Sequence, residues 1–308
     1  MSYPEGKRRL LTRDDFDGVV SAALLKKIGL IEQVKFVHPR DMEGGVVHVS
    51  RRDIIADLPP QPGAYLVFDH HDVDPANGSA DGFVVDVNAL SAARVIYKHY
   101  GGADRFPAVS PELIDAVDKW ESAAFTRKEV LDPEGWDLLG FLLDPRTGLG
   151  RFRRFRISNH QLMLDLVDYI TDHNAEELLT FEDIRERADV YESHKKDFSQ
   201  QIQRCSTVRD TVLLVDLRRE TTLFAGNRFV KYALFPHADA SVQVMWAFKR
   251  RTAVISVGKS IFDSNLSADI GGVMARYGGG GYSYAGACQV PAENVDQTIE
   301  EIVEALLE

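Results

Sequence analysis

Cysteine is scarce: Cys205 and Cys288 are the only two in 308 residues, and neither belongs to a CxxC pair. That excludes a disulfide framework and suits a reducing cytoplasm, the expected location. Long apolar runs are missing too. No stretch approaches the roughly 18 residues that a bilayer crossing needs, so no membrane association is expected. The opening MSYPEGKRRLLT is briefly basic but lacks the apolar core and small-residue cleavage site of a secretory signal. Positive charge is outnumbered, with 36 Lys and Arg against 47 Asp and Glu and a formal net charge of -11. This argues against broad, sequence-independent binding to duplex DNA. There is no internal repeat, no low-complexity region and no Walker GK[ST]. No glycine fingerprint follows the first strand, and no organic cofactor is expected.

What is present fits a globular protein: 44% apolar residues and a mean hydropathy of -0.19. The length exceeds the usual span of one hydrophobic core and predicts two domains. Charge is uneven between them. Residues 205–290 hold ten basic and six acidic side chains, a net of +4, which suits a metal on an acidic first domain and an anion gripped by the second.

Short apolar strands are predicted at residues 8–12, 34–37, 46–49, 65–68 and 82–85. Between and after them lie amphipathic helical patterns, at 19–28 and then 91–100, 111–120, 134–143 and 160–173. A polar loop runs through Pro75, Asn77 and Gly78. This alternation predicts an α/β fold: an N-terminal domain with a largely parallel sheet and a helical annex, residues 1–180. A helical linker over 181–204 joins it to a smaller α/β domain, 205–308. There, strands are predicted at 211–216, 222–225, 241–248, 252–257 and 287–290, with a hairpin at KRR and helices near 268–277 and at the end of the chain.

Four groups could carry chemistry. TRDDFDG places Asp15 and Asp17 where a strand meets a helix. Clustered acids at such a turn repel one another, a cost that a divalent cation relieves, and oxygen ligands suit Mg²⁺ or Mn²⁺. FDHHDVD places Asp69, His70 and His71 at a strand end. One imidazole can ligate a metal while its neighbour faces substrate, with Asp69 as ligand or as orienter of a histidine. Asp118, between Ile114 and Trp120 on a helix, could point into a cleft. GGGGYSYAG exposes the backbone N–H groups of Gly279, Gly280 and Gly281, which can hold phosphate or carboxylate, and Arg276 and Lys259 are nearby anion contacts. Each group also has a plain reading, as helix cap, solvated loop or simple turn.

DDFDG, the DHH of residues 69–71 and the late GGGG…AG together resemble the DHH phosphoesterases with a DHHA1-type C-terminal domain. The resemblance covers essentially the whole chain and is nearest to exopolyphosphatase-like members. It implies Asp15, Asp17 and His70 as metal ligands, Asp118 as a later metal-binding aspartate, and His71 beside the phosphate with Asp69 in support. It also implies hydrolysis by a metal-activated water, with one or two Mn²⁺ or Mg²⁺ ions. The sequence departs from the family pattern in three places. Arg13 stands where the family has a histidine, and a guanidinium binds phosphate but cannot ligate metal. The aspartate that often bridges the metals has two candidates of position, His48 and Asp53. Tyr282 replaces a histidine after the glycines.

The expected function is hydrolysis of a phosphodiester, phosphomonoester or phosphoanhydride in a small nucleotide, a short oligonucleotide or polyphosphate. The expected partners are a small anionic substrate, including short single-stranded oligonucleotides, and a second copy in a homodimer. The alternative is a catalytically impaired phosphate-ligand binding or regulatory protein on the same scaffold, favoured by Arg13 and Tyr282.

Overall fold

The computed structural model describes residues 8–71 and 82–308; the loop predicted through Pro75, Asn77 and Gly78 lies outside them. The chain forms two compact units that are not contiguous in sequence. One comprises Met1–Ala124 and Pro133–Tyr191, the other Phe125–Asp132 and Glu192–Glu308.

The first unit is built on β1 (Arg8–Thr12), α1 (Phe16–Lys27), β2 (Ile31–Phe36), α2 (Pro39–Glu43), β3 (Asp53–Ala56), β4 (Leu66–Asp69) and β5 (Phe83–Val85). The five strands make one sheet in the order β2-β1-β3-β4-β5, and every pairing is parallel. This is a doubly wound order, with its topological switch point between β1 and β3. Ligands bind at the carboxyl ends of the strands flanking such a point.

Helix α1 is apolar nearly all round, and Phe16 through Leu25 are all buried, as expected of a helix enclosed by a core. Asp15 caps it by accepting the Gly18 N–H at 3.1 Å. Its far end emerges at Lys26 and Lys27, which pair with Asp168 and Asp172.

The strand predicted over residues 46–49 lies instead at Asp53–Ala56. Val46 is 75% exposed, whereas all four residues of β3 are buried between β1 and β4, as an internal parallel strand requires.

Around the sheet come α3 (Ala92–His99) and α4 (Pro111–Glu121), capped by Ser91 and Ser110. Helix α5 (Arg127–Leu131) belongs to the second unit, while α6 (Gly135–Leu143), α7 (Asn159–Tyr169) and α8 (Ala175–Thr180) complete the annex of the first. Helix α9 (Glu182–Arg204) starts in the first unit and ends in the second.

The second unit holds β6 (Ser206–Arg209), β7 (Val212–Asp216), α10 (Val230–Leu234), β8 (Ala240–Trp246), β9 (Thr252–Lys259), α11 (Ile270–Ala275), β10 (Gly280–Tyr282), β11 (Ala285–Pro291) and α12 (Val295–Leu307). Its mixed sheet runs β10-β11-β9-β8-β7-β6, with β7 and β8 parallel and the other pairs antiparallel. One face packs Val242, Val244 and Ile255 with Met274, Ile299 and Ile302; the other packs Leu213 and Val215 with Ile202.

The KRR hairpin is present. Lys249 and Arg250 take φ values of 61° and 55°, the left-handed pair that a tight hairpin turn demands and that Asn-Gly usually supplies. Residues 222–225 form no strand. Gln201 and His194 of α9 take the Phe224 and Ala225 N–H groups at 3.1 and 3.0 Å, so side chains satisfy the backbone that a ladder would otherwise pair. Helix α5 is tied in by Asn227, whose Nδ2 donates to Val130 O at 3.1 Å.

Candidate metal centre

Three central strands of the parallel sheet each end in an acid or run into one. After β1 come Arg13, Asp14 and Asp15, and after β3 comes Asp57. Strand β4 ends on Asp69, followed by His70 and His71. Asp57 takes a left-handed φ of 53°, a conformation aspartate tolerates better than most residues, and its N–H donates to Phe68 O at 3.2 Å. Asp57, His70 and His71 offer ligand atoms that all lie within 4.8 Å of one another. His70 Nε2 is 3.4 Å from Asp57 Oδ1, and His71 Nδ1 is 3.8 Å from the same oxygen.

Neither carboxylate oxygen of Asp57 nor His70 Nε2 makes a hydrogen bond, although all three atoms are buried. Buried polar atoms without hydrogen bonds are costly. An oxygen and an imidazole nitrogen facing one another in this way suit a divalent cation. Asp69 supports the group from behind. Its Oδ1 accepts the His71 N–H at 2.9 Å and lies 2.8 Å from His71 Nδ1. A carboxylate acceptor there puts the ring proton on Nδ1 and the ring lone pair on Nε2.

Asp15 and Asp17 lie alongside, but their oxygens are largely engaged. Asp15 Oδ1 takes the Gly18 N–H, and Oδ2 pairs with Arg13 Nε at 2.9 Å. Asp17 accepts Ser21 Oγ at 3.1 Å and the Ala92 and Ala93 N–H groups at 2.8 Å each, which places it at the N-terminus of α3. Arg13 spans two acids: its NH1 is also 3.2 Å from Asp57 Oδ2.

The fifth acid of the cluster is Glu121, a residue the sequence analysis did not single out. Burial, reinforced by the charges of Asp15 and Asp57, pushes its carboxyl well above the usual range. It has no hydrogen bond or ion pair among the described residues. Asp118, one turn earlier on α4, is used elsewhere. Its Oδ1 accepts Ser91 Oγ at 2.6 Å, and its Oδ2 accepts Arg94 Nε at 2.7 Å.

His48 and Asp53 lie at the other end of β3 from Asp57. Arg9 Nε is 2.6 Å from Asp53 Oδ1 and its NH2 donates to His48 O at 3.1 Å, while Ser50 N and Oγ fill Asp53 Oδ2 at 2.7 and 2.9 Å. The structure brings neither residue to the cluster and puts Asp57 there instead. A four-residue extended strand spans about 13 Å.

The charge balance matches the geometry. Burial and the neighbouring Asp57 push Asp17 up to about 7, and burial likewise raises Asp15. For Asp57, burial is overcome by Arg13 and His70, which hold its carboxyl below the usual range. His70 is raised despite burial by its contact with Asp57 and by the surrounding acids. Five acids thus share one guanidinium and two imidazoles, and the cluster is short of positive charge. A cavity of about 250 Å³ in the same unit is lined by Asp14, Phe36, Asn159, His160 and Met163 among others, and by none of the cluster residues.

In the second unit the glycine run is a β-hairpin edge and not an open loop. A Cβ at Gly279 would lie 2.2 Å from Ala287 O, and one at Gly281, where φ is 152°, 2.2 Å from Ala285 O. These two glycines are required by the close approach of β11. Gly280 differs, because a Cβ there would meet nothing within 4 Å. Tyr282 and Tyr284 lie at the turn, 45% and 54% exposed, with stacked, nearly parallel rings whose centroids are 5.5 Å apart. Lys259 donates to Leu266 O at 3.0 Å, and Arg276 is exposed at the end of α11.

No family model and no curated protein matches the sequence. Among solved structures, the chain is 47% identical to the pGpG-specific phosphodiesterase PggH from Vibrio cholerae, over 97% of this chain and 99% of that one, with a TM-score of 0.82. It also superposes on RecJ from Thermus thermophilus in complex with Mn²⁺, with a TM-score of 0.56 at 12% identity, over 98% of this chain and 52% of that one. For CDC45 from Entamoeba histolytica the TM-score is 0.51 at 9% identity, over 98% and 96% of the two chains. At such low identity the last two report a shared fold alone.

Proposed function

Because the chain belongs to the DHH phosphoesterases with a DHHA1-type second domain, and is a metal-dependent hydrolase of that family, we propose that its substrate is a short linear dinucleotide such as pGpG. The observation that carries this reading is the 47% identity to a pGpG-specific phosphodiesterase over 97% of the chain. Likeness at that level spans both units. The cavity at Asp14, where Phe36 and His160 meet edge to face with ring centroids 5.8 Å apart, offers aromatic surface of the kind that accepts a base.

Asp57, His70 and Glu121 are the proposed holders of a divalent ion, Mn²⁺ or Mg²⁺, with Asp15 and Asp17 behind them. The chemistry such an ion supplies is Lewis acidity toward water and toward the phosphoryl oxygens. The side chains do the rest. Asp69 fixes the ring of His71; once that ring also carries a proton on Nε2, as the imidazolium, its proposed role is proton donation at the phosphate. Arg13 adds fixed positive charge where negative charge grows during displacement. In the second unit, the Gly280 backbone, Tyr282, Arg276 and Lys259 are the proposed anion contacts. The scarcity of cysteine, two in 308 residues, supports a cytoplasmic setting.

The test is a substrate panel with Mn²⁺ or Mg²⁺: pGpG, other linear dinucleotides, longer oligonucleotides, cyclic dinucleotides, pyrophosphate and polyphosphate. The expected result is cleavage of pGpG to mononucleotides with the highest kcat/KM of the panel. Preferential cleavage of polyphosphate or pyrophosphate would overturn the dinucleotide reading.

A further inference from the structure

The acids of the cluster are not equally open to a metal. On the β1 side, each Asp15 oxygen has a donor: Gly18 N–H on Oδ1 and Arg13 Nε, at 2.9 Å, on Oδ2. Asp17 holds three donors, two of them backbone N–H groups at the start of α3. On the β4 side, Asp57 Oδ1 faces His70 Nε2 at 3.4 Å, and neither atom has a hydrogen bond. Asp57 thus turns one oxygen to each side, Oδ1 to the imidazoles and Oδ2 to the guanidinium at 3.2 Å. The guanidinium is itself largely enclosed: the Arg13 side chain is 20% exposed, and those of Asp15 and Asp57 are 4% and 1% exposed.

We propose that this centre takes a single divalent ion, on the Asp57–His70 side, and that the Arg13 guanidinium is the resident second cation between Asp15 and Asp57. The inference rests on the metal-dependent phosphoesterase reading and adds its stoichiometry. A guanidinium stays protonated at any working pH, carries no lone pair for a metal, and pairs with carboxylates through a planar fork. It therefore supplies positive charge between the two acids while denying that place to a second ion, by ion-pairing with one oxygen of each and by like-charge repulsion. Substrate phosphate then meets one metal and one guanidinium, a pairing in which the guanidinium offers directional donors.

The test counts ions on the full-length chain. Protein is saturated with Mn²⁺, desalted, and read by elemental analysis and by electron paramagnetic resonance. The expected result is one Mn²⁺ per chain with the hyperfine pattern of an isolated ion. Arg13→His replaces the fork with an imidazole donor, and the count is expected to rise to two with an exchange-coupled spectrum. Arg13→Lys keeps the charge and is expected to stay at one. Two coupled ions in the unmodified protein would overturn the inference while leaving the phosphoesterase reading intact; no bound ion would overturn both. An Arg13→His protein that melts like the parent and still binds one ion would also overturn it. Should that variant fail to fold, the count and spectrum of the unmodified chain decide alone.

Discussion

Asp53 opens β3 with its carboxylate 2.6 Å from Arg9 Nε, whereas Asp57 follows the same strand with its carboxylate 3.4 Å from His70 Nε2. Parallel pairing on both sides keeps the two ends apart. Asp57→Asn is expected to lose bound metal and about three orders of magnitude in kcat, equivalent to about 4 kcal/mol of transition-state stabilisation. Asp53→Asn is expected to keep the metal and lower the melting temperature. Metal content and melting curves on the two proteins separate the roles; metal loss in Asp53→Asn alone would reverse them.

Asp118 and Glu121 give a second contrast on one helix. Asp118→Asn weakens bonds to Ser91 and Arg94 and should cost about 1–3 kcal/mol of stability, a fall of several degrees in the melting temperature. Glu121→Gln should do the opposite in the metal-free protein at neutral pH, because burial and the charges of Asp15 and Asp57 disfavour an ionised carboxylate there and a neutral amide escapes that cost. Its Mn²⁺ affinity should nevertheless drop at least about tenfold. Titration calorimetry beside thermal melts would expose either result.

The glycines of the hairpin should divide similarly. Gly279→Ala forces a methyl against Ala287 O and should unfold or strongly destabilise the second unit. Gly280→Ala has open space around the new carbon. It should leave the melting temperature within about 0.5 kcal/mol of equivalent stability while raising KM for the dinucleotide. An unchanged KM would remove Gly280 from the proposed anion contacts.

Lys231 is half-buried on α10, and burial lowers its ammonium to about 8. Its nearest described polar partner is Gln243 Oε1 at 3.4 Å. Between pH 8 and the ordinary lysine range the unfolded chain binds more protons than the folded one, so this residue's contribution to stability rises with pH across that window. Below pH 8 the full penalty is present. Lys231→Met should therefore stabilise the protein by about 1–3 kcal/mol at pH 7, with the gap narrowing as pH rises from 8 toward 10. A gap independent of pH would rule out charge burial as its cause.

Much of this was legible in the residues. Runs such as RRLLT and YLVF declare buried parallel strands, and the acids and imidazoles that follow them fall at the carboxyl edge, as the sheet order demands. The same rule would have found Asp57, because IIAD is also an apolar run ending in an acid; reliance on spacing pointed to His48 and Asp53 instead. Glu121 was harder to see. Positions 114, 117, 118 and 121 share one stripe of α4, so periodicity cannot say which acid lies near Asp15 and Asp57 and which binds Ser91. The hairpin around GGGG was hidden because glycine reads equally as loop, cradle or close strand contact, and only the positions of Ala285 and Ala287 distinguish these. The role of α5 in the second unit depends on Asn227, almost a hundred residues away, and no local pattern announces it.

The most direct measurement is single-turnover cleavage of pGpG by purified, Mn²⁺-loaded protein, run beside Asp57→Asn and His70→Ala. Expected are mononucleotide products from the unmodified chain, loss of the reaction on chelation, and at least about a thousandfold slower cleavage in both variants. Folded, metal-loaded protein that leaves pGpG intact, or cleavage that survives in Asp57→Asn, would contradict the proposed function.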